Sequence, residues 1–268
     1  MNSSGQLGDG TTTDRATPVQ VDDTNLTDVA AISAGEDHSL AIDANGVAWA
    51  WGENSSGQLG DGTTTDRSAP VQVDDTNLGT VTAVSGGGAH SLAVDSHGLV
   101  WSWGDNAFGQ LGDGTTTDRI TPVQVDDTNL TNATAISAGG AHNLAIQNGA
   151  VWAWGDNFWG QLGDGTFDDS SVPVQAATGF NAGWTDISAG YDHSVATYGT
   201  EVYTWGYVVK GPCCLAEPIA LDGLTDTVAI TAGPTGWFGP HLAVQSDGTA
   251  WFWGEAFFSP EEAPDFDW

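Results

Sequence analysis

The chain has 268 residues, 40% of them hydrophobic, and its 37 glycines and 13 tryptophans supply many tight turns and several large apolar anchors. Thirty-five Asp and Glu stand against Arg15, Arg67, Arg119 and Lys210, a formal charge of −31. Such a field repels phosphate backbones and anionic lipid surfaces, which disfavours a nucleic-acid or membrane-surface partner. No run of about 18 apolar residues suggests membrane insertion. An acidic surface with almost no lysine predicts a halophilic or marine source or a generally acidic extracellular protein, and the expected location is extracellular or at the cell surface. No signal peptide is recognisable after Met1. Cys213 and Cys214 are adjacent; they admit a vicinal disulfide or two thiols, and are too few for a zinc site.

Residues 2–26, NSSGQLGDGTTTDRATPVQVDDTNL, return nearly unchanged at 54–78 and 106–130. From Asn157 the copy diverges: Phe158-Trp159 replace Ser-Ser, and Phe167-Asp168-Asp169 disturb the Thr run. Between these segments lies a second unit, Ile32 to Gly52, in which His38, Leu40 and Ile42 alternate with Ser39 and Ala41 before Asn45-Gly46 and the W-x-W-G of Trp49–Gly52. Alternation on both sides of Asn-Gly predicts a β-hairpin. Short strands are also expected at Ala31–Ser33 and Pro18–Val21, making four per repeat with no amphipathic helix. Copies of the second unit centre on His90, His142, His193 and His241, spaced from His38 by 52, 52, 51 and 48 residues in turn.

A four-stranded unit at this period is the signature of a β-propeller blade. The expected fold is therefore all-β, a propeller of about five repeats of ~51 residues. The array is assigned to residues 1–254, with units of about 2–52, 53–104, 105–155, 156–206 and 207–254, and 255–268 as a tail or broken repeat. Two closures are open. The C-terminal W-G could join Asn2–Gly10 in a permuted fifth blade, giving a closed five-bladed ring, or the array could be a fragment of a seven-bladed one.

The motifs S-A-G-x-x-H-S-L-A-(I/V) and G-x-V-W-x-W-G-x-N-x-x-G-Q-L-G-D-G closely resemble the repeat of the regulator-of-chromosome-condensation family, strongly over residues 2–206 and weakly beyond. The resemblance implies a β-propeller, usually seven-bladed, that binds proteins through its loop faces. No functional residue of that family is matched beyond the structural motif.

His38, His90, His142, His193 and His241, and the second tryptophans Trp51, Trp103, Trp154, Trp205 and Trp253, are read as structural: imidazoles satisfied inside a blade and indoles packing between blades. Off-pattern aromatics are the candidate binding residues, namely Phe108, Phe158, Trp159, Phe167, Trp184 and Trp237. Asp61, Asp66, Asp113 and Asp118 are oxygen-rich loop positions that calcium could use, but one loop supplies too few ligands and a solvated acidic loop is the default. The repeated Asp22-Asp23, Asp74-Asp75 and Asp126-Asp127 pairs are copied identically, whereas catalytic carboxylates need distinct environments. The expected function is a non-enzymatic scaffold without cofactor, a monomer whose propeller-face loops bind a protein or surface ligand. The alternative is a lectin-like or calcium-dependent carbohydrate binder, with a hydrolase or lyase third.

Overall fold

The computed structural model describes residues 1–268 except 23, 127, 177–178, 181, 208–213, 234–240, 255–256 and 263–268, and for 257–262 it describes the backbone alone. The described chain is all-β, twenty strands in five four-stranded antiparallel sheets. The first blade holds β1 Val29–Ala34, β2 His38–Asp43, β3 Ala48–Gly52 and β4 Arg67–Gln72. The second holds β5 Val81–Gly86, β6 His90–Asp95, β7 Val100–Gly104 and β8 Arg119–Gln124; the third β9 Ala135–Ala138, β10 His142–Gln147, β11 Ala150–Gly155 and β12 Ser170–Gln175. The fourth holds β13 Trp184–Ala189, β14 His193–Tyr198, β15 Glu201–Tyr207 and β16 Cys214–Ala220; the fifth β17 Thr227–Thr231, β18 His241–Gln245, β19 Ala250–Gly254 and β20 Phe257–Glu262. Each blade pairs its strands in chain order, and the innermost strands of all five line a central cavity of about 330 Å3. This is a five-bladed β-propeller.

The blades begin about half a repeat after the sequence copies do. Asn2–Gly10 does not complete the fifth blade, because β19 takes β20 as its outer partner, pairing Trp251 with Glu262. The permuted closure is thereby overturned, and β20 falls within the stretch 255–268. With no free sheet edge to join, the expected strand at Pro18–Val21 does not form. The N-terminal segment instead lies on the first blade, where Leu26 and Val21 cover Ala41, Trp49 and Trp51. The seam between the fifth and first blades is the most exposed: Ile32 is 77% accessible, whereas its counterpart Ile187 is 7%. Leu242 and Val244 on the last blade are likewise exposed.

The W-x-W-G motif is a strand with a built-in bulge. Between the third and outer strands the register shifts at Ala50/Gly52, Ser102/Gly104, Ala153/Gly155 and Thr204/Gly206. The second tryptophan thus faces no partner on the outer strand and turns towards the neighbouring blade, while Gly104 at φ 108° takes a backbone shape that a side chain would resist. Trp103, Trp154 and Trp205 are fully buried in clusters that join residues of two successive blades, such as Leu40, Leu59 and Val73 with Ala93 and Trp103. Burying one such indole contributes roughly 4–6 kcal/mol before entropy is counted.

The crossings that follow Gly52, Gly104 and Gly155 are knotted by asparagine. Asn54 Nδ2 donates to the carbonyls of Thr63 and Thr65, its Oδ1 accepts from Leu59 N–H, and its own N–H donates to Asp66. Asn106 and Asn157 repeat the pattern.

A polar relay runs from blade to blade inside this frame. The carbonyl of Gln58 accepts both the Trp103 indole N–H and the Ser91 hydroxyl, each at 2.8 Å. Gln110 and Gln161 do the same for Asn143/Trp154 and Ser194/Trp205, and Gln6 for Ser39/Trp51. His38, His90 and His142 reach across to the same polar residue of the next blade, at 2.9, 2.8 and 2.9 Å for Ser91, Asn143 and Ser194. Since Asn143 Oδ1 can only accept and Ser91 already donates to Gln58, Nε2–H is assigned as the donor.

The fifth blade breaks the relay. His241 pairs with Trp253, the register position of Ser39 against Trp51, and not with the glycine that His38 faces. It is therefore not a copy of the recurrent histidine, which corrects the reading from sequence spacing. In place of a serine, His193 meets the His241 ring edge-on, with centroids 4.4 Å apart. His241 stacks in turn on Trp253.

Burial holds the imidazoles neutral, lowering His38 and His142 to about 3 and His241 to about 4, and depressing His90 and His193. In the unfolded chain they titrate near 6.5. Their contribution to stability is fully present above that value and is lost as pH falls from about 6.5 towards 3, because the unfolded state takes up the protons. Urea denaturation at pH 5 should show a loss of about 1–2 kcal/mol for each buried histidine relative to pH 7.5; an unchanged midpoint would refute the neutral relay. Trp154→Ala should cost about 3–5 kcal/mol in the same assay, and a cost under 1 kcal/mol would show that the bulged indole is not a blade-to-blade anchor.

Candidate functional site

The loops that follow β3, β7 and β11 stand on one face of the propeller, each bonded to the outer strand of the next blade. Gly62 N–H donates to Ile120 O, Gly114 N–H to Ser171 O and Gly165 N–H to Ala216 O. In the first three crossings the acidic residues are spent internally. Asp61 accepts Thr63 on one oxygen and Arg67 on the other, the ion pair measuring 2.6 Å. Asp9–Arg15 and Asp113–Arg119 repeat it at the same distance. Asp66 and Asp118 accept the backbone N–H of Asn54 and Asn106. The four candidate calcium positions are thus engaged in loop structure, and among the described residues no three His, Cys, Asp or Glu side chains form a metal-holding group.

The fourth crossing differs. Four of the predicted aromatics, Phe108, Phe158, Trp159 and Phe167, meet around one open cavity of about 420 Å3, with Asp156, Asp168 and Asp169 completing its wall. Phe158 and Phe167 are 67% and 52% accessible, and Phe108 is 45%. Phe158 and Trp159 meet at right angles with centroids 4.8 Å apart, and Trp159 rests against Tyr207 at 4.9 Å. Phe108 belongs to the second blade's crossing and occupies the motif position that Trp159 holds in the third, so neighbouring loops bring equivalent positions together.

Trp184 is not part of this surface. It begins β13, is 3% accessible, and packs in an aromatic core with Phe180, Tyr198 and Tyr203 at 5.1–5.3 Å. It shares a core cluster with Leu144 and Ile146 of the preceding blade, so the binding assignment from sequence is corrected. Trp237 lies outside the described residues, as does Cys213, while Cys214 opens β16.

Sequence reasoning missed Asp156, and marked Asp168 and Asp169 only as oxygen-rich loop positions. Asp156 accepts Phe158 N–H at 3.0 Å and Gln161 Nε2 at 2.9 Å, yet burial, assisted by nearby Asp169, raises its pKa above the usual carboxylate range. Asp192, on the loop before β14, is pushed up to about 6 by burial and the charge of Asp156. The available signal was the loss of the loop arginine: Ser170 stands where Arg15, Arg67 and Arg119 stand in the other copies.

The comparisons agree with this architecture. An RCC1-like domain model matches residues 1–258. The ultraviolet-B receptor UVR8 of Arabidopsis thaliana is 31% identical over 205 residues, covering 76% of this chain and 47% of the receptor. The human E3 ubiquitin-protein ligase HERC2 is 31% identical over 208 residues, 75% of this chain and 4% of the ligase. The chain thus spans about half or less of the length of these relatives. Among solved structures, human WBSCR16 superposes with a TM-score of 0.77 at 21% identity, covering 88% of this chain and 66% of that one. Prp20p of Saccharomyces cerevisiae superposes at 0.66 with 18% identity, covering 88% and 77%. These two likenesses concern the fold alone. A domain model spanning nearly the whole chain, on a propeller whose motifs are explained blade by blade, places this protein in the RCC1-like domain family.

Proposed function

We propose that the chain is a non-enzymatic interaction scaffold that binds a protein through the loops on one propeller face, with the cavity of the fourth crossing as its contact. One observation carries this reading: the loop substitutions are concentrated where they are exposed together. Three crossings are near copies, and the fourth exchanges Ser-Ser for Phe158-Trp159, a threonine for Phe167 and an arginine for Ser170. A purely structural loop has no need of a phenylalanine 67% in solvent. Exposed aromatics gathered at a concavity are the usual anchors of protein interfaces.

The relatives support the same class of function. The human HERC2 relative is a ubiquitin-protein ligase, and yeast RCC1 (Prp20) was solved bound to Kap60. Their particular partners are not carried over. The same rings could stack on a sugar, so the test must separate the two.

Immobilised wild-type chain should retain a protein from an extract of its source in high salt, and the Phe158→Ala/Trp159→Ala variant should lose at least about tenfold of that retention. If no protein is retained by a folded chain, or if a glycan panel binds instead, the scaffold reading fails. The net charge of −31 supports a salt-screened setting outside the cell. The melting temperature should rise between low and molar NaCl; a flat profile would discard that setting.

A further inference from the structure

We propose that the cavity of the fourth crossing receives an arginine or lysine side chain of the partner protein, its head between Asp156, Asp168 and Asp169 and its stem against Phe158, Trp159 and Phe167. This rests on the protein-binding reading and names the chemistry of what is bound.

Three observations point to a cation. First, the same loop is elsewhere built around a guanidinium. In each of the first three copies the arginine Nε and Nη2 both donate to one Asp oxygen, as Arg67 does to Asp61 at 2.8 and 2.6 Å. In the fourth copy Ser170 takes the arginine's place, and Asp168 stands where the others carry threonine. The loop has lost its own cation and gained a carboxylate. Second, among the described residues Asp156, Asp168 and Asp169 line the pocket with no lysine or arginine beside them, and burial with repulsion from Asp169 keeps Asp156 harder to ionise than an ordinary carboxylate. An incoming positive charge relieves that repulsion, and a charge-assisted hydrogen bond is about twice as strong as a neutral one. Third, the remaining wall is aromatic, and ring faces attract guanidinium and ammonium groups.

The carboxylates do not gather tightly enough to hold a metal ion. An organic cation with an apolar stem fits both halves of the wall, whereas a bare ion would use only one. The chain's overall charge would draw any basic peptide to it, so the test must separate the pocket from the field.

The intact chain is titrated in 0.5 M NaCl, which shortens the screening length to roughly 4 Å, with a fluorescein-labelled Gly-Arg-Gly-Arg-Gly peptide, its lysine counterpart and its citrulline counterpart. The arginine and lysine peptides should bind, and the uncharged citrulline peptide, of the same shape, should bind at least about tenfold more weakly. Phe158→Ala/Phe167→Ala, which changes no charge and alters two exposed residues, should weaken the arginine peptide about tenfold. Asp168→Asn should also weaken it, while Asp75→Asn, an exposed acid of another loop, should not. Equal binding of the citrulline peptide, or indifference to the phenylalanine substitutions in variants that melt like the wild type, would overturn the proposal. Partner capture that depends on Phe158 while every basic peptide fails would sink the cation and leave the scaffold. Peptide binding without any captured protein would sink the scaffold.

Discussion

The shared carbonyl of the glutamine in G-Q-L-G-D-G is the interaction on which the propeller depends. A single backbone oxygen, in the loop leaving one blade, accepts the indole of the next blade's tryptophan and the side chain that follows its histidine. Each bond contributes about 1 kcal/mol net. Their larger effect is geometric: they fix the depth and rotation at which an indole of some 200 Å2 enters the groove between blades. The glycine two residues after the glutamine is there because a β-carbon on Gly60 would collide with the Trp103 ring. The bulge at W-G, the asparagine knot and the histidine relay all hold that arrangement in place.

Much of this was legible before any coordinates. Period-two alternation, Asn-Gly turns and a recurrence near 51 residues determine strands, hairpins and blades with little ambiguity, because those signals are local. Asn148 and Gly149 even take the successive positive φ angles, 53° and 72°, that such a hairpin turn asks for. What failed is non-local. Whether Pro18–Val21 becomes a strand depends on β19 having an open edge, and β20 occupies it. His241 resembles the other histidines in its neighbours, but its register is set by pairing with Trp253, which spacing alone does not reveal.

The candidate site was half legible for a related reason. Departures from the repeat marked Phe108, Phe158, Trp159 and Phe167, and the ring geometry brings them to one cavity. Departure alone did not separate an exposed ring from a buried one, so Trp184 was grouped with them although it fills a core. The acidic half of the wall was hidden because Asp156 and Asp169 are members of the repeat pattern; only the loss of the neighbouring arginine changes their meaning.

The meeting of His193 with His241 makes one junction of the propeller unlike the three before it. A repeat array behaves as a chain of nearest-neighbour couplings, each junction with its own free energy. Three junctions share the same histidine-to-polar-residue bond. At the fourth, two buried imidazoles meet edge-on where one donor and one acceptor should be. That junction therefore lacks the donor–acceptor bond of the three before it, and is held by the Ser188 hydroxyl, which accepts Ala232 N–H across it at 2.8 Å. The cavity of the fourth crossing, lined by residues between Phe108 and Asp169, lies on the side of that junction where the relay is unbroken.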